Sequence, residues 1–388
     1  MSSQLSSPEP SPWHRDAPAP VVALTAARRT AELNEQFLGR VDTRLAEVVD
    51  DLERVWHHDL GPAAPGVDIL SDRDLPELLR GLAGVGGKRI RPSMCLWGWV
   101  VAGGRGRGSG FEDVLQVATA LELLHIFALI HDDVMDESAS RRGQPSVHTL
   151  AAQLHLHSGA RGSARRFGDS IAVLVGDLAH AEADHLVSTL PAGMRRVWRD
   201  LVIELVRGQS RDLTGSAAGR RDLEHARQVA QMKSGCYTVW RPLQLGAVAA
   251  GADRPVVAAL ELYGAEVGEA FALRDDLLGV WGDPARTGKP AGDDLLSGKP
   301  TVILSLAHDL LRGTARHLLE RVGTSGLSPA DVVFLQDALR AGGVVDAVES
   351  RISAHVHAAV AALEADGLDP EGVAGLTQMA HRIAWRDR

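Results

Sequence analysis

From Glu112 to Asp136 the sequence EDVLQVATALELLHIFALIHDDVMD contains no Gly or Pro and carries apolar residues on almost every helical face until Asp132, Asp133 and Asp136 arrive together. A stretch this long, rich in Ala and Leu and free of breakers, predicts one continuous helix. Being apolar all round, it must be covered by other helices on every side. The chain is therefore organised around a buried helix with a charged mouth, centred on Leu121–His148.

The rest of the chain supplies the cover. Apolar positions recur at helical spacing over 31–58, in DLPELLRGLAG, and around 90–102, 112–138, 169–190, 195–213, 222–250, 255–281, 300–322, 328–341, 344–365 and 370–385, with strand signals nearly absent. Residues 1–31 are Pro/Ser-rich and are expected to form a disordered lead. LAAQLHLHSGARGSAR, between His148 and Phe167, reads as a mobile loop. No repeat or composition break divides 32–388, so the expectation is a single large all-α domain with helices layered around its centre.

Composition narrows the function. The chain has 388 residues, 45% of them hydrophobic, enough for a large core, and a net charge of −9 with no dense basic run, which disfavours a nucleic-acid partner. No uninterrupted apolar run reaches the ~18 residues of a membrane span, and the N-terminus lacks a basic start followed by an apolar block. Cys95 and Cys236 have neither metal spacing nor a disulfide framework, so a reducing cytoplasm is the expected location.

On a helix, Asp132 and Asp136 share a face about 6 Å apart, with Asp133 roughly 100° round. Carboxylates so close repel unless cations lie among them, and hard oxygen donors on one face suit Mg²⁺, which recruits phosphate oxygens and water. A second pair, Asp275 and Asp276, also ends an apolar helix, again at the end of the dipole that disfavours anions. Of the 41 Lys and Arg only four are lysine: Lys88, Lys233, Lys289 and Lys299. All four stand beside acidic or glycine-rich motifs, where a compact ammonium is not replaced by a guanidinium. Together with Arg91, Arg141 and Arg142 they predict a cavity that holds phosphate groups partly through metal and partly through cationic side chains.

In order and spacing, GGKRIRP, LLHIFALIHDDVMD, RRGQPSVH, VGD, RGQSRDL, KSG, RDD and TGKPAGDDLLSGK resemble the motif series of the trans-isoprenyl diphosphate synthases, the polyprenyl synthetase family, over roughly residues 35–385. The resemblance implies the all-α isoprenoid synthase fold with a central cavity, a homodimer, and head-to-tail condensation of isopentenyl diphosphate with an allylic diphosphate. It also implies three Mg²⁺, two held by Asp132 and Asp136 and one by Asp275, with Asp133 and Asp276 in support. Arg141, Lys233 and Lys289 are then expected on the allylic diphosphate, and Lys88, Arg91, His125 and Arg142 on isopentenyl diphosphate. Gln209, Asp212, Ser234 and Lys299 fall at positions expected to line the same cavity.

Two departures from that pattern stand in the second acidic motif. Ala272 replaces the usual glutamine three residues before the pair, and Gly279 replaces the third aspartate, which predicts weakened substrate binding or altered selectivity. Product length is expected to be set along the apolar helix, where Ala128, Phe127 and Leu124 lie about 6, 7.5 and 12 Å from Asp132. A large fifth and a small fourth residue before the first aspartate resemble synthases that stop at geranylgeranyl diphosphate (C20), with farnesyl diphosphate (C15) the nearest competitor. Two other readings are a terpene cyclase on the same fold, which has no need of Lys88, Arg91, His125 and Arg142, and a noncatalytic subunit of a heteromeric synthase, toward which Ala272 and Gly279 point.

Overall fold

The computed structural model describes residues 21–59, 69–70, 73–106, 108–141, 143–220, 222–283, 291–324 and 326–386. Among these residues the chain is all-α, apart from a two-residue hairpin that pairs Ser140–Arg141 with Gln144–Pro145 in antiparallel register.

The expected central helix forms as α4, Ser109–Met135. Val114, Val117, Leu121, Leu123 and Leu124 have no exposed surface. Around α4 pack α1 (Val21–Arg54), α3 (Ile90–Val101), α6 (Ala164–Ser188) and α9 (Arg241–Ala249). By length and composition Gly110–Met135 is long and apolar enough to cross a membrane, although Glu122 and His125 interrupt its apolar run, and 67% of its most apolar stretch is buried inside the protein.

Helix α1 reaches back to Val21 rather than starting after residue 31, because TAARRTAEL continues the helical pattern. Thr30 is 2% exposed, and its hydroxyl donates to Gln378 Oε1 at 2.9 Å on the helix Pro370–Ala384. Residues 1–20 of the expected lead lie outside the described residues.

The expected mobile loop is also ordered. It consists of α5, Val147–His157, followed by a turn and the start of α6, capped by Ser163. His155, whose polarity suggested a loop, is 3% exposed, with Nε2 3.0 Å from the Arg161 carbonyl and its ring 5.0 Å from Phe167.

Two long segments hold features that hydrophobic periodicity does not report, a change of helix type in one and a break in the other. The region 222–250 runs as α8 (Leu223–Ala230), a π-helical stretch (Gln231–Trp240) and α9 without interruption. The region 300–322 splits into Val302–Leu310 and Gly313–Leu319, where Leu311 turns extended and Gly313 takes a left-handed φ of 59°.

Helix α10, Arg254–Trp281, opens on an Asp253 cap with proline in its first turn. It packs against the π-helical stretch and the helices Val344–Ala362 and Pro370–Ala384. Tyr263 at its centre is fully buried and donates its hydroxyl to the Leu376 carbonyl at 2.7 Å, the partner a buried phenol requires. The charged ends of α4 and α10 are the parts of these two buried helices that carry the acidic motifs.

Candidate active site

At the end of α4 the backbone folds back on its own acids. Asp136 N–H bonds the Asp132 carbonyl at 2.8 Å, Glu137 takes a left-handed φ of 52°, and Ser138 N–H bonds the Asp133 carbonyl at 2.9 Å. The hairpin that follows returns Arg141 to the cluster. Its Nε lies 2.9 Å from each Asp133 oxygen, and an Nη donates to the same carboxylate at 2.5 Å. Asp133, 5% exposed, is thus occupied by arginine, which leaves Asp132 and Asp136 for other partners.

Lysines arriving from two distant segments supply those partners. Lys233 Nζ donates to Asp132 Oδ1 at 2.8 Å and to Asp212 Oδ2 at 2.7 Å, while Lys299 Nζ donates to Asp136 Oδ2 at 2.7 Å. The π-helical turn carries Lys233, with half-buried Ser234 beside it, and such turns are frequent at functional sites. Helix α7, Ala192–Ala217, approaches this turn so closely that a Cβ at Gly208 would sit 2.6 Å from the Lys233 nitrogen. Its next residue, Gln209, donates to Asp132 Oδ1 at 3.2 Å.

Burial works against charge on Asp132, yet Lys233, Lys299 and Arg141 outweigh it and hold this carboxyl below the ordinary range. Burial likewise opposes the ammoniums. Asp132 and Asp212 nonetheless raise Lys233, and Asp294, Asp136 and Asp132 raise Lys299. Asp132, Lys233 and Lys299 are thereby held in their charged forms, in a network that alternates acid and base.

The second motif is built differently. Asp276 Oδ2 accepts the Val302 N–H at 3.0 Å, at the start of the helix Val302–Leu310. Burial, with Asp294 and Asp275 nearby, pushes the Asp276 carboxyl well above its usual range against the pull of that N–H. Asp275 is half-exposed and is ion-paired with Arg386.

Asp294 belongs to the site, and sequence reasoning missed it. A Cβ on Gly279 would lie 2.0 Å from Asp294 Oδ2 and 2.5 Å from its Cγ, so the space of the missing third side chain is filled by a carboxylate from residue 294. The only signal was the GDD within TGKPAGDDLLSGK.

Arg91 and His125 meet through Tyr237. The Arg91 guanidinium lies 4.1 Å over the Tyr237 ring and donates to Thr238 Oγ1 at 2.9 Å, while the Tyr237 hydroxyl is 3.3 Å from His125 Nδ1. Arg91 is only 9% exposed, and its Nε is buried with no hydrogen-bond partner among the described residues. Lys88 is half-buried. Its neighbour Arg89, which sequence reasoning passed over, takes a left-handed φ of 48° and pairs with buried Glu122, and with Asp42 at 2.8 Å. Arg142 and Lys289 lie outside the described residues.

Along α4, Leu124 is fully buried in the core, and Ala128 packs half-buried against it. The Phe127 ring sits between two histidines, His131 with centroids 4.6 Å away and His180 stacked at 4.7 Å.

Among the described residues, no three His, Cys, Asp or Glu converge on one point. The site instead offers carboxylate oxygens one or two at a time, each beside a cationic side chain. That donor set fits Mg²⁺, which completes its shell with water and phosphate oxygens, and not zinc, which takes most of its ligands from nitrogen and sulfur.

Residues 72–336 match the Polyprenyl synthetase family. The chain belongs to that family. Two relatives from Mycobacterium tuberculosis (strain ATCC 25618 / H37Rv) illustrate its range. A (2E,6E)-farnesyl diphosphate synthase is 30% identical over 77% of this chain and 80% of its own length. A geranylgeranyl diphosphate synthase is 31% identical over 77% and 81%. Among solved structures, the geranylgeranyl pyrophosphate synthase of Corynebacterium glutamicum, complexed with isoprenyl diphosphate and magnesium, is 36% identical with a TM-score of 0.81, over 90% of this chain and 98% of that one. The polyprenyl synthetase described here is accordingly a transferase, a short-chain trans-prenyl diphosphate synthase.

Proposed function

We propose that this polyprenyl synthetase condenses isopentenyl diphosphate head-to-tail with dimethylallyl, geranyl or farnesyl diphosphate and stops at geranylgeranyl diphosphate, C20. The observation that carries the reading is the placement of Lys233 and Lys299, from separate segments, on different carboxylates of one helix end. Such a charge-balanced cluster has no structural need of its own, and it matches what a metal–diphosphate pair requires. Asp132 and Asp136 would hold two Mg²⁺ and Asp275 a third, with Asp133 and Asp276 fixed in support by Arg141 and the Val302 N–H. When bound, Mg²⁺ neutralises charge on the departing diphosphate.

The chain's own residues do the remainder. Arg141, Lys233 and Lys289 grip the allylic diphosphate, Lys299, Ser234, Gln209 and Asp212 line the cavity beside it, and Lys88, Arg91, His125 and Arg142 take isopentenyl diphosphate. Fixed cations in a water-poor site stabilise a leaving anion far better than solvent does. As the diphosphate departs, the isopentenyl double bond attacks the allylic carbocation, and a proton is then lost.

Phe127, framed by His131 and His180, supports a floor at C20. The farnesyl product, C15, is the competing reading, since one relative of nearly equal similarity bears that name. Exposed Val173 and Leu174 on α6, with Ile203, Val206 and Leu213 on adjacent α7, support a homodimer. Cys95 and Cys236, both unpaired, fit a cytoplasmic location.

The deciding experiment incubates the purified chain with Mg²⁺, radiolabelled isopentenyl diphosphate and each of the C5, C10 and C15 primers. Elongation by all three with accumulation at C20 is expected. Absence of any elongated product overturns the reading, and accumulation at C15 selects the competitor.

A further inference from the structure

The catalytic reading assigns no role to Arg386, although this residue touches the second acidic motif. It lies just past the helix Pro370–Ala384, yet its side chain is only 6% exposed. One Nη donates to Asp275 Oδ1 and to the Phe271 carbonyl at 3.3 Å, and the other donates to the Ile383 carbonyl at 2.9 Å. The guanidinium is stacked 4.1 Å over the Phe271 ring, and its Nε is buried with no hydrogen-bond partner among the described residues.

A second arginine holds the arrangement from the other direction. Arg274 Nε donates to the Ala384 carbonyl at 2.5 Å, and its Nη to Glu349 at 2.8 Å. Residues 271–275 of α10 and 383–386 are thus joined by two crossed arginines, so Arg386 is held by its surroundings and not merely resting on a surface.

Burial within the pair is asymmetric. The cation is almost wholly enclosed, whereas the Asp275 side chain is 48% exposed. An incoming ligand can therefore reach the carboxylate while the guanidinium still neutralises it. The carboxylates of the first motif also have cationic partners, Arg141 on Asp133, Lys233 on Asp132 and Lys299 on Asp136, but there each carboxylate is as buried as its partner or more so. Unlike those lysines, Arg386 comes from none of the eight motifs, and its stacked guanidinium offers a planar fork suited to phosphate oxygens.

We propose that Arg386 is the resident cation of the second acidic motif, holding Asp275 and competing with a divalent cation for it until a diphosphate arrives. The diphosphate supplies phosphate oxygens as new acceptors for the guanidinium, which frees the carboxylate for the metal. Metal without diphosphate is thereby kept weak at this position, and metal with diphosphate is admitted. The inference rests on the reading of Asp275 as a metal ligand.

The test is direct binding of Mn²⁺ to the full chain, followed by electron paramagnetic resonance with and without inorganic pyrophosphate. A unit charge removed from contact with a half-exposed carboxylate, screened by solvent, corresponds to roughly a tenfold change in affinity. Arg386→Gln is therefore expected to bind Mn²⁺ alone roughly tenfold more tightly than the parent chain, Arg386→Lys to stay near it, and pyrophosphate to remove the advantage of the glutamine variant. In an Asp275→Asn background the gain should vanish.

A merely structural role for Arg386 would weaken binding, the opposite sign. Equal or weaker Mn²⁺ binding by Arg386→Gln, or a gain that survives Asp275→Asn, overturns the proposal. Should the glutamine variant not fold, Arg386→Met keeps an unbranched stem over Phe271 and is read the same way. If Asp275→Asn alone leaves Mn²⁺–pyrophosphate binding unchanged, the metal assignment falls and this proposal with it. If Asp275→Asn weakens binding but Arg386→Gln shows no gain, only the role of Arg386 falls.

Discussion

Lys299 Nζ lies 2.7 Å from Asp136 Oδ2, a contact between residues 163 positions apart that ties the segment after the second acidic motif to the end of the first. Lys299→Ala removes a fixed cation from the position of the developing diphosphate charge and leaves Asp136 unbalanced. Loss of one preorganised donor at a charge-developing site costs about 10²- to 10³-fold in kcat, and that range is expected here. Lys299→Arg should recover only part of the loss, because a planar fork does not reproduce the reach of an ammonium. Steady-state rates with isopentenyl and farnesyl diphosphates check both, and a change of less than about threefold, well short of that range, would remove Lys299 from the site.

Restoring the family's third aspartate should harm this protein. In Gly279→Asp the new Cβ would fall 2.0 Å from Asp294 Oδ2, with a further acid placed beside Asp276. Overpacking of this kind costs about 2 kcal/mol, and like-charge repulsion adds to it, so the melting temperature should drop. Gly279→Asp combined with Asp294→Gly returns one carboxylate to the same space and is expected to recover stability and diphosphate binding. Calorimetry of the two variants decides the point, and a single variant as stable as the parent chain contradicts the geometry.

The sequence made α4, α10, the two acidic pairs and the importance of the four lysines legible because each rests on local pattern: unbroken 3.6-residue periodicity, adjacent carboxylates, and a residue type kept only in special places. What escaped it depends on distance in the fold. Asp294 fills the hole at Gly279 only because α10 and the helix Asp293–Ser297 lie side by side, and nothing local to either announces the match. The π-helical turn at Lys233 widens the backbone without disturbing the apolar pattern, so periodicity reads 222–250 as one helix. The misread loop at 148–167 failed for the reverse reason, since one histidine that looks solvent-directed, His155, is packed against Phe167 and the Arg161 carbonyl.

Phe127 offers a test of the product ruler. Its ring stacks on His180 and meets the edge of His131, so truncation to alanine opens space between α4 and α6 where three rings now pack. Phe127→Ala is expected to shift products beyond C20, and the enlarged cavity should cost about 3 kcal/mol of stability. Chromatography of the dephosphorylated products provides the readout. An unchanged length distribution in a variant that folds would show that the floor lies elsewhere.

The buried Arg89–Glu122 pair should matter more than its distance from the acidic motifs suggests. The Arg89 side chain is 10% exposed and that of Glu122 4%, and Arg89 is one of two non-glycine residues with positive φ among those described, the other being Glu137. The pair therefore holds a strained backbone position between Lys88 and Arg91, at the start of α3. Glu122→Gln leaves the guanidinium with Asp42 as its remaining carboxylate. Breaking a buried pair costs ~3 kcal/mol or more, and Asp42 should keep the loss near that lower figure. Because the displaced residues are those read as binding isopentenyl diphosphate, KM for that substrate should rise several-fold while KM for the allylic primer changes little. Equal changes in both, or a stability loss with neither, would make the pair a packing element alone; a selective rise would make Arg89 the residue that positions Lys88 and Arg91.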